Sequence, residues 1–243
     1  MLLKLSLLLT IVYIFGIFLT LILFKFNFYV FFKSELSKKI LMWIPITIVF
    51  LFFAMSNDAI MLIGFMLLLL GVYWEQLIIM IKKRLLPRFL FMSLIPFMIA
   101  FAHLPLIVIR QANATEVLIL LAVSASLSDV GAFFFGKFFG FHKLPHLINP
   151  NKAWEGVLGQ IAGAFVGTIL LKLFIFPTIP LFWFVSIGIG SAIGDLFNSF
   201  VKRAAKINQW SNILPGHGGF SDRFASLAFS SLLFYYFSFF TNT

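Results

Sequence analysis

The stretch LFWFVSIGIGSAIGDLFNSF, residues 181–200, is twenty residues long and carries a single charge, Asp195. A helix needs roughly 20 apolar residues to cross about 30 Å of hydrocarbon, so this length and composition read as a membrane span. On a helix, Ser191, Asp195, Asn198, Ser199 and Lys202 recur at i, i+4, i+7, i+8 and i+11. They form one polar stripe running down to the helix end, opposite a face of Phe, Leu and Ile. A carboxylate at mid-membrane costs about 2.5–3.5 kcal/mol on insertion scales, so Asp195 must face a polar cavity or a partner. The serines need only hydrogen-bond between helices.

The rest of the chain repeats the pattern. Of 243 residues, 62% are hydrophobic and 11% charged, with a mean hydropathy of +1.08, which excludes a soluble globule. Spans are expected at 5–24, 40–56, 59–81, 89–109, 117–136, 157–176, 181–200 and 224–240, each bounded by charges, Pro or polar clusters. The fold expected is therefore an all-α, multi-pass integral membrane protein of about eight helices. It forms one continuous domain, in which residues 1–116 supply hydrophobic helices and 117–243 carry the polar motifs. The first span has too long an apolar run, and no small-residue cleavage site, for a signal peptide. With no cysteine, disulfides and thiolate metal sites are excluded.

All Lys and Arg except Lys4, Arg110 and Lys172 fall in, or at the edge of, the first, third, fifth and seventh connections. The positive-inside rule then places those connections in the cytoplasm and both termini outside. This asymmetry, with some attraction to anionic headgroups, accounts for a net charge of +10 without a nucleic-acid partner.

Acidic residues are scarce. Glu35, Asp58 and Glu116 fall in expected connections and read as solvated, whereas Glu75 lies inside the third span with no evident partner. Asp129, Glu155, Asp195 and Asp222 all lie in the C-terminal half, near cytoplasmic helix ends. Ser124 and Ser128 extend the patch around Asp129. Gly159, Gly163 and Gly167, with Gly190 and Gly194, repeat every fourth residue. Small residues on one face let helices approach closely, within one subunit or across a homodimer.

Two cytoplasmic loops complete the polar inventory. GKFFGFHKLPHLINPNKAWEG, 136–156, holds Lys152 and Glu155. The second, 202–223, holds Lys202, Arg203 and Lys206, then Gly216, His217, Gly218 and Gly219 ahead of Asp222 and Arg223. Glycines permit close approach of backbone N–H groups to an anion. Mg²⁺ takes one or two carboxylates plus phosphate oxygens and water, so sparse Asp residues from neighbouring helices suffice for a metal-bound polyphosphate. A metal, or two, together with Lys and Arg would offset charge during phosphoryl or nucleotidyl transfer.

The stretch SFVKRAAKINQWSNILPGHGGFSDR, 199–223, resembles the signature of the phosphatidate cytidylyltransferase (CDP-diacylglycerol synthase) family: Ser-x-x-Lys-Arg, a spacer, Gly-His-Gly-Gly and Asp-Arg. SDVGAFFFGKFFG and NPNKAWEG resemble two upstream elements of the same family, in the same order. The resemblance covers Asp129 to Arg223; the N-terminal spans match only as hydrophobic helices.

It implies transfer of CMP from CTP to phosphatidate, giving CDP-diacylglycerol and pyrophosphate for phospholipid biosynthesis, with Mg²⁺ and room for a second cation. It also implies that Asp195 and Asp222 bind metal, with Lys202 acting beside them. Asp129, Lys152, Glu155, Ser199, Arg203, His217, Gly218, Gly219 and Arg223 would line the substrate site. Departures fall at Asn149, Ala153, Asn208, Gln209 and Ala225, where the family has Ser, Thr, Lys-Asp and a further Asp. The alternatives are a CTP-dependent transferase or kinase acting on another lipid phosphate or lipid alcohol, and an inactive relative that binds lipid or nucleotide.

Overall fold

The computed structural model describes residues 1–85, 88–146, 148–214 and 218–240. Among them nine α-helices and one π turn follow one another, with no strand. They are α1 (Leu2–Leu23), α2 (Phe28–Lys33), α3 (Glu35–Ala54), α4 (Asp58–Lys83), α5 (Ile95–Arg110), α6 (Ala114–Phe138), α7 (Trp154–Phe174), α8 (Trp183–Ala204) and α9 (Phe220–Phe240), with the π turn at Leu90–Leu94 opening into α5. Each expected span falls on a helix. Six, those containing α1, α4, α5, α6, α7 and α8, are long and apolar enough to cross a membrane, and Ile40–Ala54 is a shorter apolar stretch. The chain is a multi-pass membrane protein.

Helix starts follow local chemistry. Asn27, Ser34 and Asn57 accept backbone N–H bonds from Val30, Ser37 and Ile60, capping α2, α3 and α4. Expecting Asp58 and Glu116 in connections was wrong by a few residues, because both sit in first helical turns. A carboxylate there meets the positive end of the helix dipole.

Helices α5 to α9 form the tightly packed body, and α1 to α3 lie at its side. The glycine stripes explain the packing. A Cβ on Gly163 would sit 2.1 Å from the Leu127 carbonyl oxygen, and one on Gly159 would sit 2.5 Å from that of Gly131. A Cβ on Gly194 would lie 2.5 Å from the Ala225 carbonyl oxygen. Backbones of α6 and α7, and of α8 and α9, are therefore in direct contact, as small-residue faces allow. Both stripes are used within the chain, so they supply no argument for a dimer. Buried hydroxyls tie the same helices: Ser124 and Thr168 lie 3.1 Å apart, and Ser230 donates to the Ile187 carbonyl at 2.9 Å.

Gly163→Ala forces a methyl group against backbone that cannot swing away, at a cost of about 1–3 kcal/mol. Its melting temperature in detergent micelles falls, whereas Gly16→Ala, with open space around its Cβ, melts like the parent protein.

Candidate active site

The polar residues collect at one end of the bundle, where α4, α6 and α8 finish and α7 and α9 begin. Asp129 and Asp195 each stand nine residues before the end of their helix. At 1.5 Å per residue they lie at a similar depth, roughly 14 Å from that end along the axis. Lys202 and Asp222 sit within the last and first turns of α8 and α9, nearer the surface.

The deep tier is built around Asp195. Lys152 Nζ lies 2.5 Å from its Oδ1 and also donates to the Asp195 carbonyl at 3.1 Å. Gln160, buried on α7, donates to Oδ2 at 3.1 Å. Lys152 reaches this position because the 139–153 loop folds back on itself: Leu144 N donates to the Lys152 carbonyl, and Trp154 N to that of His142, both at 2.9 Å. Glu155 braces the loop, its carboxylate taking the His142 backbone N–H at 3.1 Å and standing 2.6 Å from His142 Nδ1. Asp129 accepts from Ser226 at 2.9 Å, and its charge interacts with those of Asp195, Arg223 and Lys152.

The shallow tier is built around Asp222. Lys202 Nζ donates to Oδ1 at 2.6 Å, while Oδ2 accepts the backbone N–H of Trp210 at 2.9 Å and of Gly219 at 3.0 Å. The Asp222 side chain is 5% exposed and that of Lys202 16%. Trp210 is buried, its indole donating to Asn198 Oδ1 at 2.7 Å and its ring edge-on to Phe97. This plug ties residues 205–214 to α8. Gly218 adopts φ +81°, a left-handed conformation that favours glycine, and its N–H donates to the Leu214 carbonyl at 3.1 Å. Arg223 interacts with Asp129, Asp195 and Asp222 together, linking the tiers.

Most of the expected site residues thus converge. Asp129, Lys152, Asp195, Lys202, Asp222 and Arg223 form one charged cluster, with Ser199 buried on α8 between Asp195 and Lys202. Arg203 instead bonds Asn208 at 2.9 Å, and Glu155 serves the loop. The amides of Gly218 and Gly219 are taken by acceptors of the protein itself. Gly216 and His217 lie outside the described residues. Of the departures, Ala153 leaves α7 without a side-chain cap, and Ala225 is buried against Gly194.

Among the described residues no three His, Asp or Glu side chains assemble into a ready-made metal cage. The donor set nevertheless fits Mg²⁺, which completes its shell with phosphate oxygens and water rather than protein ligands.

Three residues of this region were not singled out as site residues by the sequence reading. Gln160 and Trp210 carry signals that recur in any membrane helix or loop. Glu75 was noticed as an acid inside a span, but its partners lie some 140 residues away: its Oε1 accepts from Ser211 Oγ and from Phe220 N at 3.1 Å, and its Oε2 from Ser221 N at 2.8 Å.

An all-helical membrane body with paired carboxylates and lysines at one face defines the class as a polytopic membrane protein with a charged interfacial site. The profile of the cytidylyltransferase family matches residues 2–241, and the chain belongs to that family. It is 40% identical over 131 residues to the phosphatidate cytidylyltransferase of Helicobacter pylori, covering 51% of this chain and 47% of that one. The phosphatidate cytidylyltransferase of Aquifex aeolicus is 36% identical over 136 residues, 54% and 49% of the two chains. Phosphatidate cytidylyltransferase 4 (chloroplastic) of Arabidopsis thaliana is 36% identical over 140 residues, 55% and 36%. The matches thus span about a third to a half of the length of these curated relatives.

Removing one member of the nearly buried Lys202–Asp222 pair strands the other, at a cost on the order of 3–5 kcal/mol. Lys202→Met accordingly loses stability in denaturant titrations in micelles, and Lys202→Met/Asp222→Asn recovers part of the loss.

Proposed function

We propose that the chain transfers CMP from CTP to phosphatidate, yielding CDP-diacylglycerol and pyrophosphate, at a cytoplasmic membrane face. The observation that carries this is the pair of lysine–carboxylate contacts, Lys152–Asp195 and Lys202–Asp222, standing around Arg223 in a member of the cytidylyltransferase family.

In the reaction a phosphate oxygen of the lipid attacks the α-phosphorus of CTP, forming one P–O bond. The bond from the α-phosphorus to the bridging oxygen breaks, and its electron pair leaves with pyrophosphate. The lipid phosphate is ionised at neutral pH, so no strong general base is needed. Asp195 and Asp222 would hold Mg²⁺. The metal supplies charge compensation at the reacting phosphoryl group. Lys152 and Lys202 rest against these carboxylates and are partly exposed. On substrate arrival their ammonium groups turn to the phosphate oxygens, so that each charge exchanges one partner for another. Arg223, held among three acids, stays fixed and donates to the same phosphates.

The site's depth fits the substrates: CTP enters from water, while the lipid phosphate stays at headgroup level. Basic residues flank this end, including Lys82, Lys83, Lys137, Lys202 and Arg203 at the ends of α4, α6 and α8. They favour the cytoplasmic side by the positive-inside rule.

The test is incubation of the purified chain with α-labelled CTP, Mg²⁺ and phosphatidate vesicles, with other lipid phosphates and diacylglycerol in parallel. Label appears in CDP-diacylglycerol with phosphatidate, chelation of Mg²⁺ abolishes it, and Asp222→Ala and Asp195→Ala show none. Label-free lipid with intact CTP overturns the reading, and consumption of CTP with another acceptor replaces the substrate.

A further inference from the structure

The N-terminus of α9 carries the side chains assigned above to metal and phosphate, yet its geometry is set from the other half of the chain. Its first three free amides are all taken by carboxylates: Gly219 N by Asp222, three residues on, and Phe220 N and Ser221 N by the two oxygens of Glu75 on α4. Asp222 alone plays the reciprocal part of a capping box; Glu75 supplies the rest from outside the helix. Glu75 also accepts from Ser211 Oγ, so one carboxylate holds both Ser211, ahead of the helix, and the helix itself.

The fit is tight on every side. Glu75 is 3% exposed, and a Cβ on Gly219 would lie 1.7 Å from its Oε1. Gly219 is therefore small because the Glu75 carboxylate fills the space its side chain would take. The neighbouring Gln76, fully buried, donates to Ser221 Oγ at 3.2 Å and accepts from Ser93 Oγ at 2.8 Å, locking the same turn of α4 against α9 and the π turn. A buried carboxylate bonded only for packing is an unfavourable choice in a membrane protein. Bonded to a helix N-terminus it meets unpaired N–H groups and the positive end of a dipole.

We propose that Glu75 is a positioning residue of the transfer site: by holding the amides of Phe220 and Ser221 it fixes where Asp222 and Arg223 stand, and it leaves Asp222 free to exchange Lys202 for a metal ion without unravelling the helix. This rests on the assignment of Asp222 and Arg223 made above.

The experiment is a double-mutant cycle on the full chain in micelles, with Glu75→Ala, Gly219→Ala and their combination, plus the near-isosteric Glu75→Gln. Each is measured for melting temperature, for kcat and KM with CTP and phosphatidate, and for the Mg²⁺ concentration at half-maximal rate. Removing a supporting contact of this kind costs on the order of 10–100-fold in activity or metal affinity. Glu75→Gln should lower kcat and raise the Mg²⁺ requirement within that range at temperatures where it stays folded, while the KM for phosphatidate stays close to the parent; its melting temperature falls, because an amide NH2 meets a backbone N–H where a carboxylate oxygen accepted it. Gly219→Ala should be impaired alone yet add nothing in the Glu75→Ala background, because the clash has gone. An unchanged Mg²⁺ requirement and kcat in Glu75→Gln overturns the positioning role. So does a Gly219→Ala penalty that is the same with and without Glu75. If the parent chain transfers no CMP, the transfer reading fails separately. The contact is then judged on melting temperature, where additive single effects overturn it and non-additive effects sustain it.

Discussion

A helix that starts at the edge of a membrane cannot leave its first amides to water, and the rest of this structure depends on how α9 meets that constraint. Of the N–H groups that point out of its start, those of Gly219, Phe220 and Ser221 are taken by two carboxylates, one local and one from α4. Once they do, Asp222 and Arg223 are placed, and Trp210 and Ser211 are drawn in, the one by its own backbone N–H and the other by its hydroxyl. The charged cluster follows from a backbone requirement as much as from the needs of any substrate. Because the capping groups are anions, the same end of the bundle draws cations, and Lys202 and Arg223 answer that need within the chain.

The glycine stripes serve the same end at longer range. Asp195 and Asp129 sit on different helices, and their charges interact only because α6, α7 and α8 approach at backbone distance. A side chain at Gly163 or Gly159 would separate α7 from α6 and carry Gln160 and Lys152 with it. In a bilayer, where lipid tails compete equally for apolar side chains, close van der Waals contact and interhelical hydrogen bonds hold such helices together. Stability and site geometry are thus one property here, and substitutions in the stripes act on both.

The spans and the polar stripe of α8 were legible in the sequence, since each depends on spacing within one segment, and the fixed order of the motif set Lys202 and Asp222 at the flanking helix ends where they meet. What it could not show were the long-range partners. Glu75 was visible as a cost without a recipient, because its recipients are backbone amides, and an amide has no residue letter. Gly219 was read as room for an anion, which is correct chemically, but the anion in that space is Glu75 itself. Arg203 and Glu155 occupy motif positions, yet their side chains turn to Asn208 and His142, since a motif fixes sequence neighbours and leaves open which loop contact each makes. The glycine repeat was ambiguous between chain and dimer for a similar reason: a small-residue face records that something comes close, with no record of what.

The departures gain meaning from this arrangement. Ala225 stands one turn after Ser221 on the face packed against α8, where its carbonyl already abuts Gly194. A further carboxylate there would add a fourth acid to Asp129, Asp195 and Asp222, so its absence lowers the mutual repulsion of the cluster. Asn208, in the spacer, meets Arg203 by its amide oxygen, and with Gln209 it stands where the family has Lys-Asp, so that pair of departures leaves the net charge unchanged. The change at Ala225 therefore acts alone, toward a site with less fixed negative charge. Under the transfer reading proposed above, metal and nucleotide affinity would be more strongly coupled here than in a site that keeps the further acid, because the substrate would supply the missing ligand.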